Sequence, residues 1–275
     1  MEDKEKQKLD FLSKDIIKSR NYREVNGGYS HLRVLLMGET GAGKTRISRT
    51  AIKPIHIDSF DKEGTITVQD MIESGDVVAD ISFENENPFK PEMFSKWRQK
   101  LQERLANGYF EYFGTYMLDS YTFWSRCCMN NVLVKTKRVG EVPQFNIEYP
   151  ILREDMLNAL DLLRAIPCDV IMTGHLEFTP DESNTNSRWR LVTVGKTAPL
   201  VLGQFSEKWI ARTRTEGGKI LYTIQTAPVD NYVASTRIGN GGVLDIHEKP
   251  DIKAIRAKAG WPIADKPPLK TLLGD

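Results

Sequence analysis

The stretch "GETGAGKT", Gly38–Thr45, decides how the rest of this sequence is interpreted. It follows directly on the apolar run "VLLM", and its spacing is G-x-x-x-x-G-K-T, the Walker A pattern. We expect Gly38, Gly41 and Gly43 to adopt positive φ and to turn backbone N–H groups toward an anion at a helix N-terminus. The spacing predicts a phosphate-binding loop lined by Gly38, Glu39, Thr40, Gly41, Ala42, Gly43, Lys44 and Thr45.

Two side chains of this loop carry the predicted chemistry. Lys44 is expected to reach the β- and γ-phosphates of a nucleotide, and Thr45 to offer its hydroxyl to Mg²⁺, a cation usually shared between protein and nucleotide. The flanking residues agree, because Leu32–Met37 has a buried-strand pattern and Lys44–Ile52 has a helical spacing of apolar residues. A strand, a phosphate loop and a helix are thus predicted in that order.

Length, charge and cysteine content restrict the class of protein. A chain of 275 residues is long enough to bury a full core. Its net charge of +1 excludes a uniformly basic surface, so any polyanion must be bound by a local patch. The odd number of cysteines, 3, fits a reducing compartment better than a disulfide framework. With a charged N-terminus and no long apolar run, a soluble cytosolic protein without a membrane partner is expected.

The order of elements along the chain favours an α/β fold. A charged helix is expected as an arm or cap over residues 1–28, and residues 29–275 are expected to form the main domain. Helices predicted over Pro91–Ala106 and Ile151–Ile166 alternate with the apolar strands "TYMLD" and "CDVIMTGH". The later sequence is rich in β-prone segments separated by turns. We predict a mostly parallel central sheet with helices on both faces and added C-terminal antiparallel strands.

A carboxylate for the metal is predicted at the end of a neighbouring strand. Asp119 in "TYMLDS" follows an apolar run and falls where the strand reaches the edge at which open α/β sheets bind ligands. We expect it to help place Mg²⁺. The alternative is an aspartate that only caps the following helix.

Hydrolysis also needs a group that orients or deprotonates water. The second strand is followed by carboxylates at Asp58, Asp61 and Glu63, of which Asp61 has the most suitable position; each is also compatible with an ordinary turn or cap. His175, at the end of "DVIMTGH", is expected to sense the γ-phosphate. A half-buried histidine with satisfied hydrogen bonds is the alternative.

With the phosphate loop, "MLDS" and "MTGH" in that order, the chain resembles the RecA-like ATPases, and among them phage-encoded ATP-binding proteins of the Sak single-strand-annealing type. The resemblance covers Leu32–Trp261. It implies a RecA-like ATPase domain that binds and hydrolyses ATP with Mg²⁺, and a host-cytoplasmic protein acting in DNA recombination. One residue departs from it: RecA has a glutamate base in an I-D-x-E pattern, whereas "IDSF" places Phe60 there. Either Asp61 or Glu63 substitutes, or turnover is slow.

The resemblance also implies two DNA-binding loops, after the helix that follows the metal strand and after the sensor strand. Single-stranded DNA is bound by cations that neutralise phosphates and aromatic rings that stack on bases. The candidates in the two loops are Lys135, Lys137 and Arg138, and Arg188, Trp189 and Arg190. The second loop contains the acidic stretch "PDESNTNS", interpreted as a mobile tip, and a plain solvated loop is the alternative.

RecA-like ATPases generally place the nucleotide between neighbouring subunits. The resemblance therefore implies a homo-oligomer, as a ring or filament, and a cation from the next subunit on the γ-phosphate. Arg237 is the main candidate, with Arg212 and Arg214, which share one side of a strand, as further ones. Arginines on edge strands are also common as solvent-facing residues. A single-strand-binding protein is a further expected partner.

Two other functions remain compatible with the sequence. A P-loop kinase for a small molecule or nucleotide shares the phosphate loop, although no arginine-rich lid is evident between Lys44 and Asp119. A nucleotide-dependent loader or adaptor that hydrolyses little ATP fits the missing glutamate.

Overall fold

The computed structural model describes residues 2–20, 31–180, 187–238 and 242–273. The chain divides into two units, Met1–His31 and Leu32–Asp275. The first contains helix α1, Glu2–Arg20, on which Leu9 and Phe11 are exposed. The prediction of an N-terminal arm or cap over residues 1–28 falls partly on residues 21–28, outside the described residues.

In the described part of the second unit, nine strands form one sheet in the order β3-β2-β4-β5-β1-β7-β8-β9, with β6 paired to β5. The strands are β1 (Arg33–Gly38), β2 (Ile55–Ser59), β3 (Val77–Asp80), β4 (Thr115–Asp119), β5 (Asp169–Thr179), β6 (Arg188–Leu191), β7 (Glu207–Glu216), β8 (Lys219–Gln225) and β9 (His247–Glu248). The first six strands of this order, from β3 to β7, pair in parallel with their neighbours, whereas β8 and β9 pair antiparallel. The predicted α/β fold class, a mostly parallel central sheet with added C-terminal antiparallel strands, is confirmed.

Helices cover both faces of the sheet. They are α2 (Gln69–Ser74), α3 (Met93–Ala106), α4 (Tyr121–Lys135), α5 (Glu148–Arg164), α6 (Ala198–Gln204), α7 (Ile252–Lys258) and α8 (Leu269–Leu273), with short 3₁₀ segments at Thr45–Thr50, Gly64–Val68 and Tyr109–Tyr112. None of the helices in the described ranges is both long and apolar enough to span a membrane.

The alternation of side chains along β1 separates two hydrophobic cores. Leu35 and Met37 pack into a cluster with residues of α3, α4 and α5, whereas Val34 and Leu36 pack with Ile47 and residues of α7. Both sets are fully buried, as expected for a parallel strand covered on both faces. The carboxyl ends of β1, β4 and β5 therefore share one edge of the sheet, between two layers of helices.

Two local predictions were wrong. The helix expected over Lys44–Ile52 is a 3₁₀ segment, Thr45–Thr50, in which the hydroxyls of Ser48 and Thr50 donate to carbonyls three residues earlier. The two ends of the loop expected after the sensor strand are paired strand instead, because β5 continues to Thr179 and pairs with β6. The expected mobile tip lies mainly on residues 181–186, outside the described residues.

Candidate nucleotide-binding site

The phosphate loop connects β1 to the 3₁₀ segment. Gly41 and Gly43 have φ of 80° and 81°, as predicted for a loop whose backbone N–H groups turn inward. Gly38 does not have positive φ, so that part of the prediction was wrong. A Cβ at Gly38 would lie 2.6 Å from the carbonyl oxygen of Ala211 on β7. Glycine is required there because β7 approaches closely, not because the backbone turns.

Lys44 lies at the centre of the loop. Its Nζ donates to the carbonyl oxygens of Gly38, at 3.1 Å, and Glu39, at 2.8 Å, and lies 3.5 Å from Nδ1 of His175. Burial lowers the pKa of Lys44, and the negative charges of Asp119, Asp61 and Glu39 oppose this effect. A buried ammonium group at the centre of a phosphate loop is suited to binding a polyphosphate.

Asp119 is fully buried at the end of β4. Its Oδ2 accepts a hydrogen bond from the Thr45 hydroxyl at 2.6 Å, and its Oδ1 accepts one from the Thr173 hydroxyl. Burial raises the pKa of Asp119, while both hydroxyl donors lower it. Sequence reasoning missed Thr173, although its position two residues before His175 on one strand places both side chains on the same face.

The donor set fits Mg²⁺. Thr45 and Asp119 supply hard oxygen atoms beside the phosphate loop, and Mg²⁺ usually takes one or two protein ligands and completes its shell with phosphate and water. Across the described residues, no group of three or more His, Cys, Asp or Glu side chains is arranged to hold a metal ion. The described residues therefore do not form a site in which protein side chains alone would bind a metal ion.

Asp61 and His175 meet beside Asp119. The His175 Nε2 lies 3.3 Å from Oδ2 of Asp61, and the Asp61 backbone N–H donates to the Asp119 carbonyl oxygen at 3.1 Å. A Cβ built on Gly64 would lie 3.3 Å from Asp119 Oδ2 and 3.6 Å from Asp61 Cβ, so this glycine keeps the space between the two carboxylates narrow. The structure brings four predicted residues together: Lys44, Asp61, Asp119 and His175.

The other two candidate bases lie in different surroundings. Asp58 is fully buried and accepts hydrogen bonds from Tyr116, Trp97 and Arg104. Burial raises the pKa of Asp58, but His56 and Arg104 outweigh it, and the pKa falls below its ordinary value. Glu63 is exposed, with a left-handed backbone conformation. Of the three carboxylates, Asp61 is the one with a described contact to His175.

The first predicted DNA-binding loop contains cations that already have partners. Lys135 forms an ion pair with Asp155 at 2.6 Å, and Arg138 binds the buried carboxylate of Glu148 at 2.8 Å. Lys137 is exposed at a residue with φ of 59°. Two of the three predicted cations thus stabilise contacts with α5.

The candidate DNA-binding residues after the sensor strand lie on two faces of a strand pair. On the β5–β6 hairpin, Trp189 lies opposite Phe178, whereas Arg188 and Arg190 lie on the other face. The Trp189 ring stacks on Tyr232, with centroids 5.3 Å apart and planes at 3°. Strand pairing therefore separates Trp189 from the two arginines, and DNA binding by these three residues stays a prediction.

The candidate arginines for a neighbouring subunit differ in their contacts. Arg212 donates to Asp230 at 2.6 Å and lies over the Tyr232 ring, and Arg214 forms an exposed pair with Glu216. The Arg237 side chain is exposed. DNA binding and a cation supplied by a neighbour both stay predictions.

A family model described as an AAA domain matches residues 30–238. No curated protein matches the chain. A KaiC-like protein from Pyrococcus horikoshii OT3 is 13% identical, with 78% of this chain and 88% of that chain covered and a TM-score of 0.41. The flagellar accessory protein FlaH from Methanocaldococcus jannaschii is 12% identical, with 79% and 88% covered and a TM-score of 0.42. Because the family model matches well over half of its residues, the chain belongs to the AAA domain family of P-loop ATPases.

Proposed function

We propose that this protein binds and hydrolyses ATP, binds single-stranded DNA as a homo-oligomer, and promotes annealing or recombination. The observation that carries the ATPase part is the convergence of Lys44, Asp61, Asp119 and His175 beside one phosphate loop. The DNA part is supported by the resemblance in sequence and by exposed cations on the β5–β6 hairpin.

The residues of the site divide the work of hydrolysis. Bound Mg²⁺ supplies charge neutralisation on the β- and γ-phosphates, and Thr45 and Asp119 would hold it. Lys44 binds the same phosphates. Asp61 is the proposed base or orienting group for water, with His175 holding its carboxylate and sensing the γ-phosphate. The contacts of His175 fit this role, because its two ring nitrogens face Asp61 and Lys44.

A loader or adaptor with little hydrolysis is the second candidate, and one observation favours it. Phe60 occupies the position of the RecA glutamate, and its buried ring stacks on Phe83 at 5.3 Å. Asp61 has a shorter side chain than glutamate and is already bound to His175. If Asp61 cannot orient water, bound ATP changes the conformation of the protein and is hydrolysed very slowly.

The ATPase rate with and without single-stranded DNA separates these functions. We expect the rate to rise with DNA, whereas a kinase requires a small acceptor and an adaptor stays near zero in both conditions.

The logarithm of the DNA affinity should fall linearly with the logarithm of the salt concentration. R188A/R190A should reduce the slope of this plot by about 1.4, for two phosphate contacts on a single strand. Arg153→Ala, at an exposed position on α5, is the matched control and should leave the slope unchanged. A DNA-independent rate with an unaltered slope contradicts the DNA part.

Mixing two inactive variants tests the neighbouring-subunit arginine. Lys44→Ala keeps Arg237, and Arg237→Ala keeps the phosphate loop, so random assembly gives roughly a quarter of interfaces with both intact groups. We expect ATPase activity to reappear in the mixture. Arg153→Ala, at an exposed position on α5, should be active alone. Co-assembled subunits that stay inactive would exclude Arg237 as a cation supplied in trans.

A further inference from the structure

The direction of the bound nucleotide follows from the order of strands, provided that the proposed function holds. Asp119 and Thr45 place the metal on the side of β1 toward β5 and β4. Thr45 and Asp119 would hold the metal at the terminal phosphates of a bound triphosphate, so the nucleoside would extend away from Asp119. On the other side of β1 lie β7 and β8.

An aromatic ring on β8 lies directly against the phosphate loop on that side. A Cβ built on Gly43 would lie 3.1 Å from Cδ1 and 3.3 Å from Cε1 of Tyr222. With φ of 81° and this close ring, Gly43 has two separate reasons to be glycine. The contact joins the residue that precedes Lys44 to a strand more than 170 positions later in the chain.

The ring is supported on one side and open on the other. Tyr222 shares a face of β8 with Ile224, which is 0% exposed in the core around Ile47, and with Ile220, which is 61% exposed. Tyr222 itself is 37% exposed. The β7–β8 pairing continues for five residue pairs beyond Ala211, the β7 partner of Gly38, so this part of the hairpin extends past the end of β1.

We propose that Tyr222 forms the nucleoside subsite, with its ring stacking on the base or ribose of the nucleoside triphosphate bound by the phosphate loop. Every nucleobase offers a π-face, and stacking on an aromatic side chain tolerates different bases. The subsite therefore distinguishes a nucleoside triphosphate from inorganic triphosphate, and discriminates weakly among bases.

Two ligands that share the triphosphate but differ in the nucleoside test this role. Calorimetry on the full chain with Mg²⁺ compares a non-hydrolysable ATP analogue with inorganic tripolyphosphate. We expect Tyr222→Ala to weaken the ATP analogue about tenfold while tripolyphosphate changes less than about twofold. Tyr222→Phe should keep the parental affinities. The matched control is Leu221→Ala, the adjacent exposed residue on the opposite face of β8, with no expected change for either ligand.

The outcomes separate this inference from the proposed function. Equal weakening of both ligands by Tyr222→Ala, or no change in either, overturns the nucleoside subsite. If the parent binds the ATP analogue and Lys44→Ala abolishes that binding, the phosphate site stands whatever Tyr222 does. If the parent binds neither ligand, the proposed function fails, and the subsite fails with it.

Discussion

Replacing Lys44 with alanine is expected to lower ATP turnover by a factor of about 100 or more, because the variant loses a preorganised cation at developing phosphate charge. Lys44 is buried, and its Nζ lies among the Gly38 and Glu39 carbonyl oxygens, so neither water nor a mobile surface lysine replaces it easily. Steady-state ATPase assays measure the rate, and equilibrium binding of the ATP analogue shows whether binding is lost as well.

Stability measurements keep this result from being attributed to misfolding. Burial lowers the pKa of Lys44, so its charged form costs folding free energy, and this cost decreases as pH rises through the lowered pKa toward the ordinary value of 10.5. Lys44→Ala removes this cost together with the hydrogen bonds of Nζ, and the two effects oppose each other. The variant should therefore unfold at a temperature close to that of the parent at neutral pH. Lys62→Ala, at an exposed lysine beside Asp61, should leave turnover unchanged. Parental turnover in Lys44→Ala would contradict the phosphate-loop assignment.

Replacing Asp119 with asparagine should abolish the Mg²⁺ dependence of nucleotide binding and lower turnover by a factor of about 100 or more. An amide keeps an acceptor and donors near the Thr45 and Thr173 hydroxyls, but it lacks the charge that holds Mg²⁺. Titration of Mg²⁺ at a fixed concentration of ATP analogue measures the first effect. Glu63→Gln, at the exposed carboxylate, should retain the parental Mg²⁺ dependence.

The same substitution has a defined pH signature. Burial raises the pKa of Asp119 above its ordinary value of 3.8, so the charged carboxylate costs folding free energy above the raised pKa, and this cost disappears as pH falls toward 3.8. Asp119→Asn should be as stable as the parent or more stable at neutral pH, with the difference narrowing in acid. A variant that unfolds at neutral pH, or one with parental Mg²⁺-dependent turnover, would contradict the assignment.

Local sequence predicted the features that depend on neighbouring residues along the chain. The apolar run before Gly38 and the run before Asp119 form buried strands that end at one edge, and this edge brings Lys44 near Asp119. The hydrophobic pattern of a strand and the position of a motif residue at its end are sufficient to predict this proximity, because parallel strands align their carboxyl ends.

Features that depend on distant segments were not predictable in this way. The reason for Gly38 is the Ala211 carbonyl, and the surroundings of Gly43 include Tyr222; both contacts come from the β7–β8 hairpin. Stacking of Trp189 on Tyr232 likewise joins two segments whose pairing no local pattern indicates. Residue type suggested a nucleobase platform at Trp189, which stays a prediction, whereas local sequence gave no sign of the contact between Trp189 and Tyr232.

The Asp119 carbonyl oxygen accepts the backbone N–H groups of both Phe60 and Asp61. One peptide group therefore sets the spacing between the proposed metal ligand and the proposed base, independently of either carboxylate. An insertion or deletion between Ser59 and Asp61 would shift that spacing by a whole residue, about 3.3 Å in an extended chain, which is more than a hydrogen bond tolerates. Over evolutionary time, relatives that use this chemistry should vary in length elsewhere on the surface while this short segment keeps a fixed number of residues.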